Sequence, residues 1–316
     1  MSLSLDELYI NFDESINLDG IVGKLLTKKN ASDVDRLRQL YNEIYNYTLF
    51  ESNEIRIPKK IHQIWIGSKL PKKYSALSQT WQEMHPLWDY KLWTDKEVEE
   101  FDFSTKDLFE NSDCIGQKGD LLRAEIVNKY GGLYVDIDYE CFKPLDIFNF
   151  FFDFYTTIRT TPGLYMLNKG VSRSPISVCT SIFGSIPGHP ILKEYLKLSR
   201  AKIEQFDEKS ISFSSKFIAR PTDMQLKAAR AILTTYHSFH DAFLSHTRTG
   251  ICDRVIAMPP AFFHPLDTQW KKYEPLVYLY FGKSYNSLIR SGMKPYLHDK
   301  VTDIAFAAHY STASWL

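Results

Sequence analysis

The sequence has no surplus of either charge and few cysteines. Its 316 residues include 38 basic and 38 acidic ones. A protein that binds duplex nucleic acid through the phosphates usually carries a basic surplus, so we do not expect nucleic acid as a partner. The cysteines form no CxxC pair, which predicts separate, reduced thiols rather than a disulfide framework or a zinc knuckle. They are Cys114, Cys141, Cys179 and Cys252.

A long hydrophobic run is also missing. The most apolar stretch, residues 147–155, reads IFNFFFDFY; it is too short to span a bilayer, and Asn149 and Asp153 interrupt it. We expect a buried element there, the alternative being a surface that contacts lipid or a partner. The N-terminal MSLSLDELYINFDES carries acids where a signal peptide needs bases. These features predict no transmembrane segment and no signal peptide, with a location in the cytoplasm or, after secretion, in a host cytosol.

What is present predicts one large α/β domain with an added segment. Hydrophobic residues make up 44% of the chain and charged residues 24%, so a sizeable core can form. Residues 1–54 read as an N-terminal helical extension, because Val34, Leu37 and Tyr41 recur at helical spacing. Residues 55–316 read as the main domain.

The main domain begins with alternating strand and helix signals. Residues 60–67 form a short apolar run rich in β-formers, residues 75–84 have helical periodicity, and residues 90–93 read as a second strand. Strand, helix and strand at this spacing predict a mostly parallel central sheet. Later elements are predicted as helices at 189–198 and 221–234, and as strands or apolar loops at 255–263 and 275–282.

Two aspartates at the end of a predicted strand are the strongest chemical signal. A helix over residues 117–130 ends at Gly131-Gly132, and a strand over residues 133–138 follows. Because side chains alternate along a strand, we expect Tyr134, Asp136 and Asp138 to share one face. Two neighbouring carboxylates repel each other, and a divalent cation such as Mn²⁺ or Mg²⁺ relieves that repulsion while bridging to diphosphate oxygens.

The helix before this strand supplies two more polar side chains. Asp120 and Arg123 are three residues apart and therefore lie on one face of the helix. They form either a surface ion pair or part of a binding cleft, since an arginine fork suits a carboxylate or a phosphate. Ligands gather at the carboxyl ends of parallel strands, where Asp136 and Asp138 lie, so we expect these four groups and Tyr134, five in all, in one cleft.

A DxD sequence alone leaves other functions open. In haloacid-dehalogenase-like phosphatases the first aspartate, here Asp136, would be a nucleophile. Thr or Val usually follows the second aspartate in those enzymes, whereas Tyr139-Glu140 follow here. A non-catalytic module that binds a nucleotide sugar is the third alternative.

The string GDLLRAEIVNKYGGLYVDIDYECFKPLD, residues 119–146, resembles the signature of the DXD-containing glycosyltransferases. This family includes Och1-like mannosyltransferases and the catalytic domains of the large clostridial glucosylating toxins. IPKKIHQIWIG resembles the family's first strand, SIPGHPIL a segment after the DXD motif, and HYSTASWL its closing element. The resemblance covers about residues 55–316 and implies a GT-A-type fold, a bound Mn²⁺ (Mg²⁺ being possible) and retention of anomeric configuration.

The resemblance also implies roles for individual residues. Metal binding would fall to Asp138 and His309, and catalysis to Asp136, Asp138 and Arg123. The residues implied in donor binding are Ile64 and Trp65 for the nucleotide, Asp120 and Arg123 for the sugar, Tyr134 and Asp136 for ribose or sugar, and Ser314 and Trp315 for the diphosphate. Thr180-Ser181 stand where many relatives carry asparagine.

The predicted function is transfer of a hexose or N-acetylhexosamine from a nucleotide sugar to an acceptor hydroxyl. UDP-glucose and UDP-N-acetylglucosamine are favoured as donors, and GDP-mannose fits the Och1-like parts. The acceptor is expected to be a protein or a glycan, including a host protein modified by a bacterial effector. Peripheral membrane contact is also possible.

For three histidines and two tryptophans we expect no part in the active site. His62 lies in an apolar strand and reads as a core histidine. His237 and His240 resemble a metal pair, but no third ligand lies near in sequence, so we expect a solvated helix face. Trp88 and Trp93 read as core residues.

Overall fold

The computed structural model describes residues 8–43, 55–161, 165, 171–211, 222–251, 253–265 and 303–310. The strands are Lys60–Ile64 (β1), Asp89–Trp93 (β2), Gly132–Val135 (β3), Tyr139–Cys141 (β4), Phe154–Thr160 (β5), Ile176–Ser185 (β6), Val255–Met258 (β7) and Ala307–His309 (β8). The helices are Phe12–Ser15 (α1), Ile21–Leu25 (α2), Lys28–Glu43 (α3), Lys72–Met84 (α4), Asp95–Glu99 (α5), Lys106–Asn111 (α6), Ile115–Tyr130 (α7), Asp146–Phe151 (α8), Pro190–Glu204 (α9), Asp223–Ala231 (α10), His237–Thr247 (α11) and Pro260–Phe263 (α12). A 3₁₀ turn at Glu208–Ser210 and a π-helix at Ile232–Tyr236 complete the described elements.

A six-stranded sheet lies at the centre, in the order β2-β1-β3-β6-β5-β7. β1 runs parallel to both β2 and β3, and β5 runs parallel to β7, while β6 is antiparallel to its two neighbours. Five of the six strands therefore point the same way. This confirms the predicted α/β fold with a mostly parallel central sheet and added helices, the architecture implied by the resemblance to GT-A enzymes.

The sheet is covered on both faces, as parallel strands require. All residues of β3 and β6 are buried. The N-terminal helix α3 packs against β7, and Val34, Leu37 and Tyr41 are buried in the same core as the sheet. The helical stripe predicted for this segment is therefore correct for these three residues. The predicted domain boundary at residues 54 and 55 adjoins residues 44–54, which lie outside the described ranges.

Most elements predicted for the main domain are present with shifted ends. β1, α4, β2 and α9 confirm the elements predicted at residues 60–67, 75–84, 90–93 and 189–198. The helix expected at 221–234 begins at Asp223 and passes into the π-helix after Ala231, and residues 255–263 form β7 and α12. The segment 275–282 lies outside the described residues.

Helix α7 ends where the glycine pair predicted it to end. Gly131 has a φ of 63°, and its N–H donates to the Val127 carbonyl at 2.8 Å. A left-handed residue at this position favours glycine and reverses the chain directly into β3. α7 and β3 are therefore fixed relative to each other by the chain itself.

The strand predicted over residues 133–138 is shorter than expected. β3 ends at Val135, and Ile137 and Asp138 form a turn before β4. Leu133 and Val135 pack in the main core, whereas Ile137 packs in a separate small cluster with Trp65 and Tyr74. The predicted alternation, which would place Ile137 on the same face of the strand as Leu133 and Val135, therefore stops at Val135.

The apolar stretch at 147–155 is a buried element, as expected. It contains most of α8 and the start of β5, and Phe148, Phe152, Phe154 and Tyr155 are buried. Of the helices in the described ranges, none has the length and apolarity needed to cross a bilayer.

Three aromatic residues also lie in the core as predicted. His62 is buried between the Gly131 carbonyl, 3.0 Å from its Nε2, and the Trp93 indole, which donates to its Nδ1 at 3.3 Å. Burial lowers the pKa of His62 to about 4, so its ring is neutral at pH 7. Trp93 and Trp88 are buried as well.

A glycine in β6 makes room for a buried tyrosine in the neighbouring strand. Gly184 lies opposite Tyr155, and a Cβ added to Gly184 would overlap the Tyr155 ring. The Tyr155 hydroxyl donates to Asn149 Oδ1 at 2.9 Å, so the ring cannot move away without breaking that bond. Gly184→Ala should lower the free energy of unfolding by about 1–3 kcal/mol, the usual cost of overpacking, measured by urea denaturation.

Gly119→Ala is the matched control. Gly119 lies inside α7, and an added Cβ would meet only Arg123 Nη2 at 3.6 Å. Alanine there should be neutral or stabilise the protein by up to about 1 kcal/mol. Equal effects of the two substitutions would contradict the packing at Gly184.

Candidate active site

The turn after β3 is held by hydrogen bonds to its backbone from β6, from the Gln63 side chain in β1 and from the residue after β8. The Asp136 N–H donates to the Ser181 carbonyl in β6 at 2.8 Å, and the Gln63 amide in β1 donates to the Asp136 carbonyl at 3.4 Å. The Tyr310 N–H, directly after β8, donates to the Asp138 carbonyl at 3.0 Å. The two aspartates therefore lie on a rigid turn at the carboxyl end of the sheet.

The Asp136 carboxylate is fixed by two predicted neighbours. Its Oδ1 accepts a hydrogen bond from the Tyr134 hydroxyl at 2.8 Å and lies 3.2 Å from Arg123 Nη1. The Arg123 guanidinium also lies over the Tyr134 ring, with Cζ 4.7 Å from the ring centroid. The prediction that these groups converge on one cleft is correct, although Asp136 follows the strand rather than belonging to it.

Asp120 and Arg123 form a buried ion pair, not a surface one. Asp120 Oδ1 is 3.3 Å from Arg123 Nη2, and both residues are only 8% exposed. Asp120 Oδ2 accepts a hydrogen bond from the Thr235 hydroxyl at 2.5 Å, and the Thr180 hydroxyl lies 3.4 Å from Oδ1. Arg123 Nη1 in turn donates to the Thr180 carbonyl at 2.9 Å. The Asp120 carboxylate is thus held from α7, β6 and the π-helix.

His309 reaches Asp138 through strand pairing. β8 pairs antiparallel with β4, and His309 is the register partner of Tyr139. The His309 ring stacks on the Tyr139 ring at a centroid distance of 4.3 Å, and its Nε2 is 3.0 Å from Asp138 Oδ1. The Tyr139 hydroxyl is itself held by Ser181 Oγ at 2.7 Å and His264 Nε2 at 2.9 Å. A residue 171 positions away is brought to the DXD turn in this way.

The electrostatics of the site show an excess of negative charge. Burial raises the pKa of Asp136, and repulsion from Asp138 raises it further against the attraction of Arg123. Burial likewise raises the pKa of Asp120. Burial opposes the charge of Arg123, but Asp136 and its other neighbours outweigh it and raise its pKa. An additional cation beside Asp136 and Asp138 would relieve the remaining repulsion.

The arrangement fits a divalent cation. Ligand atoms of Asp136, Asp138 and His309 lie within 4.8 Å of one another. The 3.0 Å between Asp138 Oδ1 and His309 Nε2 equals the spacing of two adjacent ligands on an octahedral ion with bonds of about 2.1 Å. Two carboxylates and an imidazole are donors that Mn²⁺ and Mg²⁺ accept. These residues could therefore hold the predicted metal.

The remaining predicted donor-binding residues are only partly described. Ile64 ends β1, and Trp65 follows it at the same sheet edge as the DXD turn. Trp65 packs on Tyr74, with ring centroids 5.1 Å apart, in the small cluster that contains Ile137. It therefore adjoins the DXD turn. Ser314 and Trp315 lie outside the described residues.

A cavity of about 540 Å³ opens beside this cluster, and sequence reasoning missed part of its wall. Asp120, Arg123, Asp136 and His309 line it, together with residues of α3, β6, the π-helix and α11. Thr180 and Thr235 were not predicted as site residues. The one sequence feature that could have pointed to Thr180 is that it stands where many relatives carry asparagine.

The prediction of a solvated face for His237 and His240 was wrong. His237 is 6% exposed, the His240 side chain is 13% exposed, and both line the cavity. His240 Nδ1 accepts a hydrogen bond from the Val178 N–H at 3.1 Å. β6 and α3 cover this helix face, and that tertiary contact overrides the sequence pattern.

A second cluster with metal-like composition has a different role. His246 Nε2 is 2.6 Å and His189 Nε2 is 3.2 Å from Asp253 Oδ2. His189 Nδ1 accepts a hydrogen bond from the Ile191 N–H at 3.2 Å, so the ring hydrogen of a neutral His189 is on Nε2. The Nε2–H group points too far from Asp253 Oδ2 to form a good hydrogen bond with it. That nitrogen has no lone pair to offer a metal. The cluster is a carboxylate between two imidazoles at the start of α9.

Comparison with known proteins identifies the region around the DXD turn. Residues 71–154 match the model of the glycosyltransferase sugar-binding region containing DXD motif. This match confirms the resemblance found in the sequence for the part of the chain that contains the DXD turn.

Two curated relatives extend this comparison. Inositol phosphoceramide mannosyltransferase 3 of Schizosaccharomyces pombe is 27% identical over 160 residues, covering 49% of this chain and 41% of that protein. Subversion of eukaryotic traffic protein A of Legionella pneumophila is 30% identical over 118 residues, covering 29% of this chain and 18% of that protein. The chain thus spans less than half the length of these relatives. A solved structure, PaToxG glycosyltransferase, is similar over 67% of this chain and 77% of its own, with 17% identity and a TM-score of 0.41.

The Asp253 cluster predicts a pH dependence of stability. Burial opposes the charge of Asp253, but the hydrogen bond with His246 and the adjacent His189 ring outweigh it and hold the pKa of that carboxyl well below its usual range. A depressed pKa contributes stability above the unfolded value of about 4, and the contribution is lost as the pH falls through the folded pKa. Asp253→Asn should therefore destabilise the protein at pH 7, and the deficit should shrink below about pH 4, as measured by urea unfolding at several pH values.

Asp89→Asn is the control, because the Asp89 side chain is 84% exposed and its pairing with Lys60 is screened by solvent. It should leave stability unchanged at every pH. A deficit for Asp253→Asn that stays constant from pH 7 to pH 3 would contradict the assigned interaction.

Proposed function

We propose that this protein is a metal-dependent, retaining glycosyltransferase that moves a hexose or N-acetylhexosamine from a nucleotide sugar to an acceptor hydroxyl. The observation that carries the proposal is the convergence of Asp136, Asp138 and His309 beside the buried Asp120–Arg123 pair. This convergence lies within and next to the matched sugar-binding region. The phosphatase alternative does not require His309 or the Asp120–Arg123 pair, whereas a non-catalytic binding module would use the same groups and differs only in showing no turnover.

In the proposed site Asp138 and His309 hold Mn²⁺, with Mg²⁺ as a possible substitute, and Asp136 lies within reach of the same ion. A bound divalent cation neutralises diphosphate oxygens and so favours departure of the nucleoside diphosphate. Tyr139 keeps the His309 ring in place by stacking, and Ser181 and His264 keep Tyr139 in place. The metal ligands are therefore preorganised by the protein.

The donor sugar lies, in this proposal, against Asp120 and Arg123. Asp120 is a buried acceptor for sugar hydroxyls, and its contacts with Thr235, Thr180 and Arg123 set the direction of its remaining lone pairs. Arg123 and Tyr134 fix Asp136 for contact with ribose or sugar. Ile64, Trp65, Ser314 and Trp315 are proposed to bind the nucleotide and the diphosphate.

The proposed stereochemistry is retention by a front-face route. Asp120 is the buried carboxylate on the sugar side, and it is bound to Thr235 and paired with Arg123. Asp136 is similarly engaged by Tyr134 and Arg123. These contacts fix both carboxylates as positioning groups, which does not suit attack on the anomeric carbon.

UDP-glucose and UDP-N-acetylglucosamine remain the proposed donors, and the mannosyl relatives make GDP-mannose the first alternative. The protein is proposed to act in a cytoplasm or a host cytosol. The similarity to a Legionella protein named for subversion of eukaryotic traffic supports an effector role.

The class of enzyme is tested with a panel of nucleotide-sugar donors in the presence of Mn²⁺, by measuring sugar hydrolysis and transfer. Binding of a donor without turnover would favour the binding module. A trapped aspartyl-phosphate on Asp136 would favour the phosphatase.

The metal site is tested by Asp138→Asn, which keeps the shape of the side chain but removes its charge. Mn²⁺ affinity, measured by calorimetry or by electron paramagnetic resonance of free Mn²⁺, should fall by at least about tenfold to a hundredfold, the loss seen even for outer-shell partners. Asp253→Asn makes the same chemical change in the other His-Asp cluster and should leave Mn²⁺ affinity intact. The double change Asp136→Ala and Asp138→Ala should abolish donor hydrolysis and transfer, and full activity in that variant would refute the proposal.

Thr235 offers a test of the sugar side. Thr235→Val keeps the volume but removes the donor to Asp120, and hydrogen bonds to charged groups contribute about 1.5–3 kcal/mol. We expect kcat/KM for donor hydrolysis to fall about tenfold to a hundredfold with Mn²⁺ affinity unchanged. Thr235→Ser restores the hydroxyl and should recover most of the activity. Wild-type kinetics in Thr235→Val would exclude a role for Asp120 orientation in donor binding.

A further inference from the structure

We propose that Asp33 and His240 bind a neutral hydroxyl group of the acceptor between them and are specificity-determining residues for the acceptor. Both side chains line the cavity that Asp120 and Asp136 also line. The inference rests on the proposed function, because it locates the acceptor in the same cavity. It also gives a role to the N-terminal extension, since Asp33 belongs to α3.

Helix α3 is a fixed part of the cavity wall, although it lies outside the matched region 71–154. Its large apolar residues are buried in the main core. Arg248, directly after α11, donates to Asp33 Oδ1 at 2.7 Å, and Arg36 donates to the Thr247 carbonyl at the end of α11. Asp33 is therefore held in place by contacts on both sides of α3.

His240 presents a hydrogen-bond donor to the cavity. Its Nδ1 accepts a hydrogen bond from the Val178 N–H at 3.1 Å, so the ring hydrogen of a neutral His240 is on Nε2. Burial lowers the pKa of His240 against the attraction of Asp241 and Asp33, and the ring is neutral at pH 7. Nε2–H is thus a donor, and Asp33 Oδ2 is an acceptor.

The two atoms are spaced for one hydroxyl group. His240 Nε2 and Asp33 Oδ2 are 4.0 Å apart, which is too long for a hydrogen bond. Within the described ranges of the chain, neither atom has a hydrogen-bond partner. An oxygen about 2.8 Å from both atoms fits between them with an angle of about 90° at that oxygen. A hydroxyl accepts from Nε2–H and donates to Oδ2 through a single atom.

The charges at this pair favour a neutral group. The Asp33 carboxylate is compensated by Arg248, so an ammonium group finds no uncompensated negative charge there. An anion would lie against the same carboxylate. A metal ion would need a lone pair on Nε2, which carries the hydrogen instead. A hydroxyl group meets none of these obstacles.

The pair lies close to the proposed donor-sugar contacts. Val178 in β6 holds His240, and the carbonyl of Thr180 in the same strand accepts a hydrogen bond from Arg123 Nη1 at 2.9 Å. Two residues of a strand span at most about 7 Å. A hydroxyl bound by Asp33 and His240 is therefore anchored to the same short stretch of β6 as the Asp120–Arg123 pair, which suits an acceptor next to the donor sugar.

The test follows the imidazole N–H signal of His240 by NMR in the full chain with nitrogen-labelled histidine, Mg²⁺ and UDP, so that the diphosphate site is filled. The probes are methyl α-D-glucopyranoside for a sugar hydroxyl and N-acetylserinamide for a peptide hydroxyl. At least one should shift the His240 signal saturably, and the probe that does so identifies the source of the hydroxyl. A His240 signal that neither probe shifts would overturn the inference.

Matched analogues isolate the hydroxyl group. They are the mono-deoxy methyl glucosides and N-acetylalaninamide. One mono-deoxy glucoside, or the alanine compound, should bind at least about tenfold more weakly than its hydroxylated parent, because a hydrogen bond to a charged group is lost. Equal binding of parent and analogues would contradict the assignment, and this comparison uses the unaltered protein.

Variants locate the contact, with binding measured on the signals of the probe. Asp33→Asn puts an amide donor in place of Oδ2, and His240→Asn keeps an oxygen for the Val178 N–H but lacks Nε2–H. Each should weaken binding about tenfold to a hundredfold and abolish the preference over the analogue, with UDP affinity unchanged. Asp35→Asn is the control, because Asp35 is on the same helix with a side chain 70% exposed, and it should change neither affinity. An undiminished hydroxyl preference in either folded variant would refute the proposal.

Donor hydrolysis without acceptor, measured in parallel, separates this inference from the proposed function. Hydrolysis combined with a His240 signal that no probe shifts would overturn the acceptor inference only. A hydroxyl-specific shift of that signal with no turnover on any donor would overturn the proposed function and leave the hydroxyl site in place.

Discussion

The placement of the site depends on one buried cation, the guanidinium of Arg123. It lies between Asp120 on its own helix and Asp136 after the neighbouring strand, and it is almost fully buried. Removing one partner of a buried ion pair typically costs about 3–5 kcal/mol, because the other charge is left without compensation. α7 and β3 must therefore keep a fixed relation, which the Gly131-Gly132 turn permits. The carbonyl of Thr180 adds β6 to the same arrangement.

The balance around Arg123 also supports the proposal that a metal binds at this site. Two carboxylates share the one guanidinium, and Asp138 adds a third negative charge next to Asp136. Burial makes each of these charges costly, and the His309 ring lies 3.0 Å from Asp138 Oδ1. A divalent cation at this point supplies the missing positive charge. The protein thus leaves an electrostatic deficit at the place where a diphosphate and its ion would bind.

How much of this could be predicted from the sequence depends on whether the determining contacts are local. α7, its glycine terminus and the pairing of Asp120 with Arg123 follow from spacing within about 15 residues, and the structure confirms them. The end of β3 at Val135 depends on β6 and on the segment after β8, whose backbones hold Asp136 and Asp138. No periodicity in residues 133–138 reports those distant partners. His309 was assigned through the family resemblance, since its position beside Asp138 arises from pairing between β4 and β8.

The histidines of α11 also show that a local sequence pattern does not report tertiary contacts. A helix that carries His237, His240 and Asp241 has the composition of a solvated face, but α3 and β6 cover it and turn it into a cavity wall. The π-helix before it has a related effect, because its extra residue rotates Thr235 towards Asp120, and π-bulges are frequent at functional sites.

The overall composition of the chain was equally uninformative about this region. Equal numbers of acids and bases offer no argument for nucleic acid as a partner, and they say nothing about where charges gather within one cavity. In the described cavity wall two carboxylates, Asp120 and Asp136, share one guanidinium, that of Arg123, and this local imbalance comes from tertiary contacts that composition does not report.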